Sequence, residues 1–140
     1  MKTHISYSEL KDWKYCPHYH KLTRIEGLSG FMGNEYTAFG TALHSVCERK
    51  MLKEEFDPFD YFLVEFDKNL SNLDESVQTS QKLIEQMCTQ GSSIIPHIEP
   101  SIVEKFGAFK VVSTEEMLMV PISETNFNFK GYIDLVIQTE

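Results

Sequence analysis

The sequence predicts an α+β fold in which helices come first and strands come last. Up to residue 106, apolar residues recur at the three- and four-residue spacing of amphipathic helices. From Phe109 onward the period changes, and a segment rich in Val, Met and Leu has the pattern of a strand. A chain of 140 residues, 41% of them hydrophobic, is long enough for one domain with a core, so residues 1–140 are predicted to form a single domain.

The helical part carries its own start and stop signals. Residues 6–9, SYSE, have the pattern of a capping box, which predicts a first helix over residues 7–15. Pro17 should open a further turn that runs through His20. Three glycines in residues 26–34 predict a loop.

Three further helical segments are expected at about residues 36–53, 59–70 and 76–106. Asp57-Pro58 is the start signal of the middle one. Gly91, Pro96 and Pro100 are expected to divide the last segment.

Two strands are expected at residues 109–120 and 127–138, joined by a turn at residues 123–126, SETN. Asp134 lies inside the second strand among apolar residues of both faces, a pattern typical of a covered strand. A buried carboxylate must be paired, hydrogen-bonded or bound to a metal. Asp134 is therefore either a structural partner of a buried cation or a ligand of a hard cation such as Mg²⁺.

Composition excludes several classes of protein. No segment is long or apolar enough to span a membrane, and the first residues have no hydrophobic signal region. Three cysteines without a CxxC pair suit a reducing cytoplasm, which is the predicted location (the host cytoplasm for a phage-encoded protein).

The charge is unevenly distributed along the chain. The formal net charge is −8, yet residues 1–53 carry eight Lys/Arg and five Asp/Glu, a net charge of +3. A local basic patch is sufficient to bind a phosphate backbone, and we expect Lys14, Lys21 and Arg24 to bind DNA. A mixed solvated surface would give the same composition.

Two other positions are candidate ligands. Glu115 and Glu116 lie in the first strand, so one of them should face Asp134, although a solvated strand edge explains both equally well. His44 shares a helical face with Gly40 and is flanked by Leu43 and Cys47; taken alone, such a histidine is more often a core group than a ligand.

The N-terminal segment offers two further alternatives. Cys16 in YCPHYHKL is either a small buried residue or one ligand of an iron–sulfur cluster, which would need three more thiolates. The aromatic residues Tyr7, Trp13, Tyr15 and Tyr19, interleaved with lysines, could stack on nucleic-acid bases or belong to a core.

Four segments in this order resemble the RecB-like branch of the PD-(D/E)XK nuclease superfamily, with phage and bacterial exonucleases as the nearest likeness. They are SYSELKDWKYCPHYHKL, FGTALHSVCE, STEEMLMVPI and FKGYIDLVI. The resemblance implies the first strands of a restriction-endonuclease-like mixed sheet, incomplete at the C-terminus. It also implies a DNA nuclease dependent on Mg²⁺ or Mn²⁺ that acts on DNA ends or single strands.

The resemblance also implies roles for individual residues. His44 falls on the family's helical histidine, Glu115 on its strand acid with Glu116 as the fallback, and Asp134 on its G-x-I-D aspartate. These three would be the metal ligands and the catalytic residues. Cys16 falls on a cysteine that binds an iron–sulfur cluster in some relatives, a cluster expected only in a longer product.

The family's (D/E)-x-K motif, whose lysine helps to position the attacking water, would follow Glu140. Lys130 is four residues from Asp134, about 13 Å along a strand, too far to replace that lysine. We therefore expect the chain to be truncated before this motif and incomplete as a nuclease. The alternatives are a module that binds nucleic acid without cutting it and an acidic protein-interaction domain.

Overall fold

The computed structural model describes residues 3–28 and 30–139. Its helices and strands follow one another along the chain in this order: β1 (His4–Ser6), α1 (Tyr7–Tyr15), α2 (Pro17–His20), a π-helix (Lys21–Ile25), α3 (Glu35–Met51), α4 (Pro58–Ser71), α5 (Gln81–Ile94), a 3₁₀ turn (Ile95–His97), α6 (Ile98–Phe106), β2 (Phe109–Pro121) and β3 (Asn128–Thr139). The predicted α+β class, with helices followed by strands, is confirmed.

Residues cluster into two compact units. The first contains the chain up to Phe31 together with Glu115–Asp134; the second contains Met32–Thr114 and the chain from Leu135 onward. The prediction of a single domain stays a prediction.

In the first unit, Ser6 caps α1, because its hydroxyl accepts a hydrogen bond from the amide of Glu9. This confirms the helix start that SYSE predicts. Pro17 stands at the first position of α2, as expected from its fixed φ and missing N–H. The π-helix that follows was not predicted. Within it, the hydroxyl of Thr23 donates a hydrogen bond to the carbonyl oxygen of Tyr19, four residues earlier.

The sequence analysis also missed strand β1, which is only three residues long. It pairs in parallel with β3, with Ser6 opposite Lys130, and the strand order in the sheet is β1-β3-β2. The short loop between the neighbouring strands β2 and β3 makes them an antiparallel hairpin. The sheet is therefore mixed.

The core of the second unit is built by small residues on α3 and aromatic residues on α4. Ala38, Ala42 and Val46 recur every four residues on one face of α3 and are almost completely buried. Phe62 and Phe66 of α4 stack with ring centroids 5.5 Å apart within the same cluster. Small side chains on one helix allow the large rings of the next to pack closely, which fixes the position of α3 in this unit.

Two predicted breaks in the region of residues 76–106 are wrong. Gly91 lies inside α5 and is buried, and Pro100 lies in the first turn of α6, where no N–H is needed. Only Pro96 marks a division, within the 3₁₀ turn. Gly91 is required for packing, since a Cβ there would be 2.5 Å from the ring of Phe62.

A strained residue interrupts the regular geometry of β2. Glu115 has a φ of +49°, in the left-handed region that disfavours residues with a Cβ. Such a conformation in a strand breaks the simple alternation of side chains. Glu115 is nevertheless half-buried and Glu116 is exposed, so the two adjacent acids differ in environment, as expected.

The burial expected for Asp134 is also wrong. Its side chain is exposed, as are its neighbours Tyr132 and Ile133. Apolar residues on both faces predicted a covered strand. From Tyr132 to the end of the strand, however, burial is partial and is limited to Leu135, Val136 and Ile137. The apolar pattern indicates a potential for burial, whereas actual burial depends on what packs against the strand.

The close contact at Gly91 predicts a steric cost for substitution. Gly91→Ala should lower the free energy of unfolding by about 1–3 kcal/mol, because overpacking against Phe62 outweighs the better helix propensity of alanine. Gly40→Ala, in a helical position with nothing within 4 Å, is the matched control and should raise stability by about 0.5–1 kcal/mol. Urea denaturation measures both. Equal effects at the two positions would contradict the packing role of Gly91.

The left-handed backbone of Glu115 predicts that the stability order of the Gly and Ala variants at this position is opposite to the order at Glu116. Glu115→Gly should be more stable than Glu115→Ala by about 0.5–1 kcal/mol, because only the Ala variant keeps a Cβ in the left-handed region. At Glu116, where φ is not positive, the Ala variant should be the more stable one by a similar amount. All four variants lack the carboxylate, so differences between the Gly and Ala variants in melting temperature report the effect of backbone conformation on stability. The same order at both positions would mean that Glu115 is not strained.

Candidate metal centre

Asp134 and Glu115 are placed on neighbouring strands of the first unit. Asp134 lies in β3 and Glu115 in β2, strands that are adjacent in the sheet. A carboxylate oxygen of each residue lies within 4.8 Å of the other. Of the two candidate acids on β2, Glu115 is half-buried and belongs to this pair, whereas Glu116 is exposed and does not.

His44 lies in the middle of α3, in the second unit. Its side chain is exposed, on the side of the helix away from Ala42 and Val46. Gly40, one turn earlier, has no atom within 4 Å of where its Cβ would be, so the helix surface beside it is open. The interpretation of His44 as a core histidine is therefore wrong.

Within the first unit, Glu115 and Asp134 form the carboxylate pair of the candidate metal site, and each offers one ligand oxygen. The pair fits a divalent cation, because two carboxylates balance the charge and supply the oxygen ligands that Mg²⁺ and Mn²⁺ prefer. His44 as a third ligand stays a prediction; its imidazole would add a nitrogen donor, which suits Mn²⁺ better than Mg²⁺.

The cysteines show no comparable grouping. Cys16, Cys47 and Cys88 are free thiols, and no metal-ligand group found in residues 3–28 and 30–139 contains any of them. Burial raises the pKa of the Cys47 thiol, although Lys50 opposes the shift, and burial together with Glu85 raises that of Cys88. Both thiols are then protonated at neutral pH, which weakens them as metal ligands.

The three residues predicted to bind DNA differ in their surroundings. The guanidinium of Arg24 donates to the Asp12 carboxylate, with 2.7 Å between Nε and Oδ2, and Lys21 Nζ lies 3.4 Å from Glu26. Lys14 stands in the last turn of α1 and is exposed. Their role in DNA binding stays a prediction.

One polar pair in this segment was not recognised from the sequence. Glu9 is buried, and its Oε1 is 2.9 Å from Nε2 of His20, which links α1 to α2. The 11-residue separation crosses a helix break, so no helical spacing reveals this contact. The pair places the carboxylate of Glu9 inside the unit and away from the surface.

The helices give no support to a membrane-spanning segment. Within the part of the chain that the structure describes, none is both long enough and apolar enough to cross a bilayer.

Comparison with known proteins identifies a family. Searches of curated proteins and of solved structures gave no match. The family model of the PD-(D/E)XK nuclease superfamily matches residues 4–140, which is nearly the whole chain. Enzymes of this superfamily generally use Mg²⁺ or Mn²⁺, in keeping with the donor set described above. The chain therefore belongs to the PD-(D/E)XK nuclease superfamily.

Proposed function

We propose that this chain carries the metal centre of a DNA nuclease dependent on Mg²⁺ or Mn²⁺, and that this nuclease hydrolyses phosphodiester bonds at DNA ends or in single strands. The observation that carries the proposal is the pair of carboxylates, Glu115 and Asp134, on adjacent strands of a chain that belongs to a nuclease superfamily. The finer likeness to RecB-like exonucleases is part of the proposal and rests on the four sequence segments that resemble them.

In this proposal the two carboxylates hold the ion. Asp134 and Glu115 bring two negative charges to one place on adjacent strands, and a divalent cation offsets both. Strands are rigid supports, so their separation changes little when substrate binds. The ion, when bound, would make a coordinated water nucleophilic at neutral pH and stabilise charge on the scissile phosphate.

His44 has a different part in the proposal. As a neutral imidazole it contributes a nitrogen lone pair without adding charge, so the net charge of the loaded site remains near zero. A bound phosphate is then not repelled by excess negative charge. The nitrogen donor also predicts that Mn²⁺ supports cutting at lower concentration than Mg²⁺.

The DNA backbone is proposed to contact the basic residues of the N-terminal segment. Lys14 is exposed, whereas Lys21 and Arg24 would exchange a carboxylate partner for a phosphate. Exposed ion pairs contribute little to the free energy of folding, so exchanging one for a phosphate contact costs little free energy. Binding should therefore weaken as salt concentration rises.

Loss of Asp134 is predicted to abolish cutting. With Mn²⁺ and a 5′-labelled single-stranded oligonucleotide, Asp134→Asn should reduce the cleavage rate at least about 100-fold, because an amide cannot replace the charge of a metal ligand. Asp67→Asn, at an exposed acid of α4, should leave the rate unchanged. Gel analysis of the products over time measures the rates, with EDTA as the metal-free reference.

Two outcomes of this assay would contradict the proposal. Cutting that survives in Asp134→Asn would remove Asp134 from the site. A wild-type chain that binds DNA but cuts none of the substrates in either metal would favour a nucleic-acid binding module without catalysis.

Metal binding is predicted to be visible without any substrate. Mn²⁺ at 100 times its dissociation constant should stabilise the wild-type protein by about 2.7 kcal/mol and raise its melting temperature by several degrees. Asp134→Asn and His44→Ala should lose most of this rise, and Asp67→Asn should keep it. Differential scanning calorimetry with and without Mn²⁺ provides the measurement. Equal rises in all four proteins would show that the ion binds elsewhere.

A further inference from the structure

One exposed face of α1 combines two aromatic and two basic side chains. Tyr7, Lys11, Lys14 and Tyr15 stand at positions i, i+4, i+7 and i+8, which lie on the same side of a helix. All four side chains are exposed, Tyr7 by 68% and Tyr15 by 84%. We call this set the α1 face.

The acidic residues of the N-terminal segment are engaged by other side chains. Glu9 lies on the opposite side of α1, buried against His20, and Asp12, three residues before Tyr15, is paired with Arg24. Glu26 is paired with Lys21. Lys11 and Lys14 form no ion pair within residues 3–28 and 30–139, so their charges on this face are not compensated by a neighbouring acid.

The aromatic surface continues onto α2. Tyr19 packs edge-on against Tyr15, with ring centroids 6.4 Å apart and planes at 90°. This contact limits the motion of Tyr15, which nevertheless remains the most exposed of these rings. Tyr7 and Tyr15 are eight residues apart, about 12 Å along the helix axis. That is roughly the length of three to four nucleotides at 3.4 Å each.

We propose that the α1 face is a stacking platform for single-stranded nucleic acid, on which Tyr7 and Tyr15 stack against unpaired bases while Lys11 and Lys14 neutralise the adjacent phosphates. Aromatic rings combined with a positive surface bind single strands without sequence preference, because every base has a π-face. In a duplex the bases are already stacked on each other, so only the lysines can contribute. The platform should therefore select single strands over blunt duplex.

This inference deepens the proposed function by naming its substrate class, and it relies on that function only for nucleic acid as the ligand. The test separates the two by omitting the metal. Binding of a fluorescein-labelled oligo(dT) and of a blunt duplex of equal length is measured by anisotropy with the full chain in EDTA, where no hydrolysis occurs.

The tyrosine variants give the decisive comparison. Tyr7→Ala and Tyr15→Ala should each weaken binding to oligo(dT) about tenfold and change duplex binding less than twofold. Tyr15→Phe keeps the ring and should bind like the wild type. Tyr36→Ala removes a ring of matched exposure, 64%, from the first turn of α3 and should have no effect. Because all these rings are exposed, equal melting temperatures will verify that each variant is folded.

The lysines are tested by salt dependence. Lys11→Gln and Lys14→Gln should each reduce the slope of log affinity against log salt concentration by about 0.7 for oligo(dT). Lys82→Gln, at an exposed position of α5, should leave the slope unchanged.

Each result has one meaning. Wild-type affinity for oligo(dT) in both tyrosine alanine variants, or equal losses for single strand and duplex, would overturn the platform. A protein that binds oligo(dT) through Tyr7 and Tyr15 but never cuts with Mn²⁺ would retain the platform and refute the nuclease proposal. Metal-dependent cutting in a protein whose affinity for oligo(dT) does not change in Tyr7→Ala and Tyr15→Ala would retain the nuclease proposal and refute the platform.

Discussion

The proximity of two carboxylates on adjacent strands is the feature on which the functional interpretation of this structure depends. Glu115 and Asp134 bring like charges to within 4.8 Å, and Glu115 does so from a left-handed backbone conformation that costs about 1–2 kcal/mol. Neither feature helps the sheet to form. When a strand retains backbone strain and a like-charge contact at the same residue, the cause is more readily found in chemistry than in stability. A bound cation would turn the repulsion into attraction.

Local arrangement of charge matters more for this chain than its total. A net charge of −8 argues against a nucleic-acid ligand if it is taken as an average. In the N-terminal segment, however, Glu9 is buried and Asp12 and Glu26 are each engaged by a cation, so the outward-facing charge on α1 is positive. The ion pairs that stabilise the segment thus also determine which of its charges are available to a ligand.

The sequence predicted the helices well because their signals are local. Ser6, Asp57 and the period of α3 lie within a few residues of the structure they specify, and the observed ends of α1, α3 and α4 differ from the predicted ones by at most two residues. The start of α5, at Gln81, is five residues later than predicted. Strand β1 could not be found this way, because three residues carry no period and its partner is Asn128–Lys130. Gly91 was misjudged for the same reason, since its role depends on the ring of Phe62.

For the candidate site, too, the sequence predicted which residues are involved better than it predicted their environment. Its three residues were selected by type and by resemblance, and His44 was expected to be a metal ligand. The expected burial of Asp134 was wrong, and the exposure of His44 disagrees with the alternative of a core histidine. Exposure is what the proposed chemistry requires, because a phosphodiester of DNA must reach a metal that keeps open coordination positions. A fully buried Asp134 would have fitted a structural ion pair better than a nuclease, so the exposure of both residues is consistent with the proposed function.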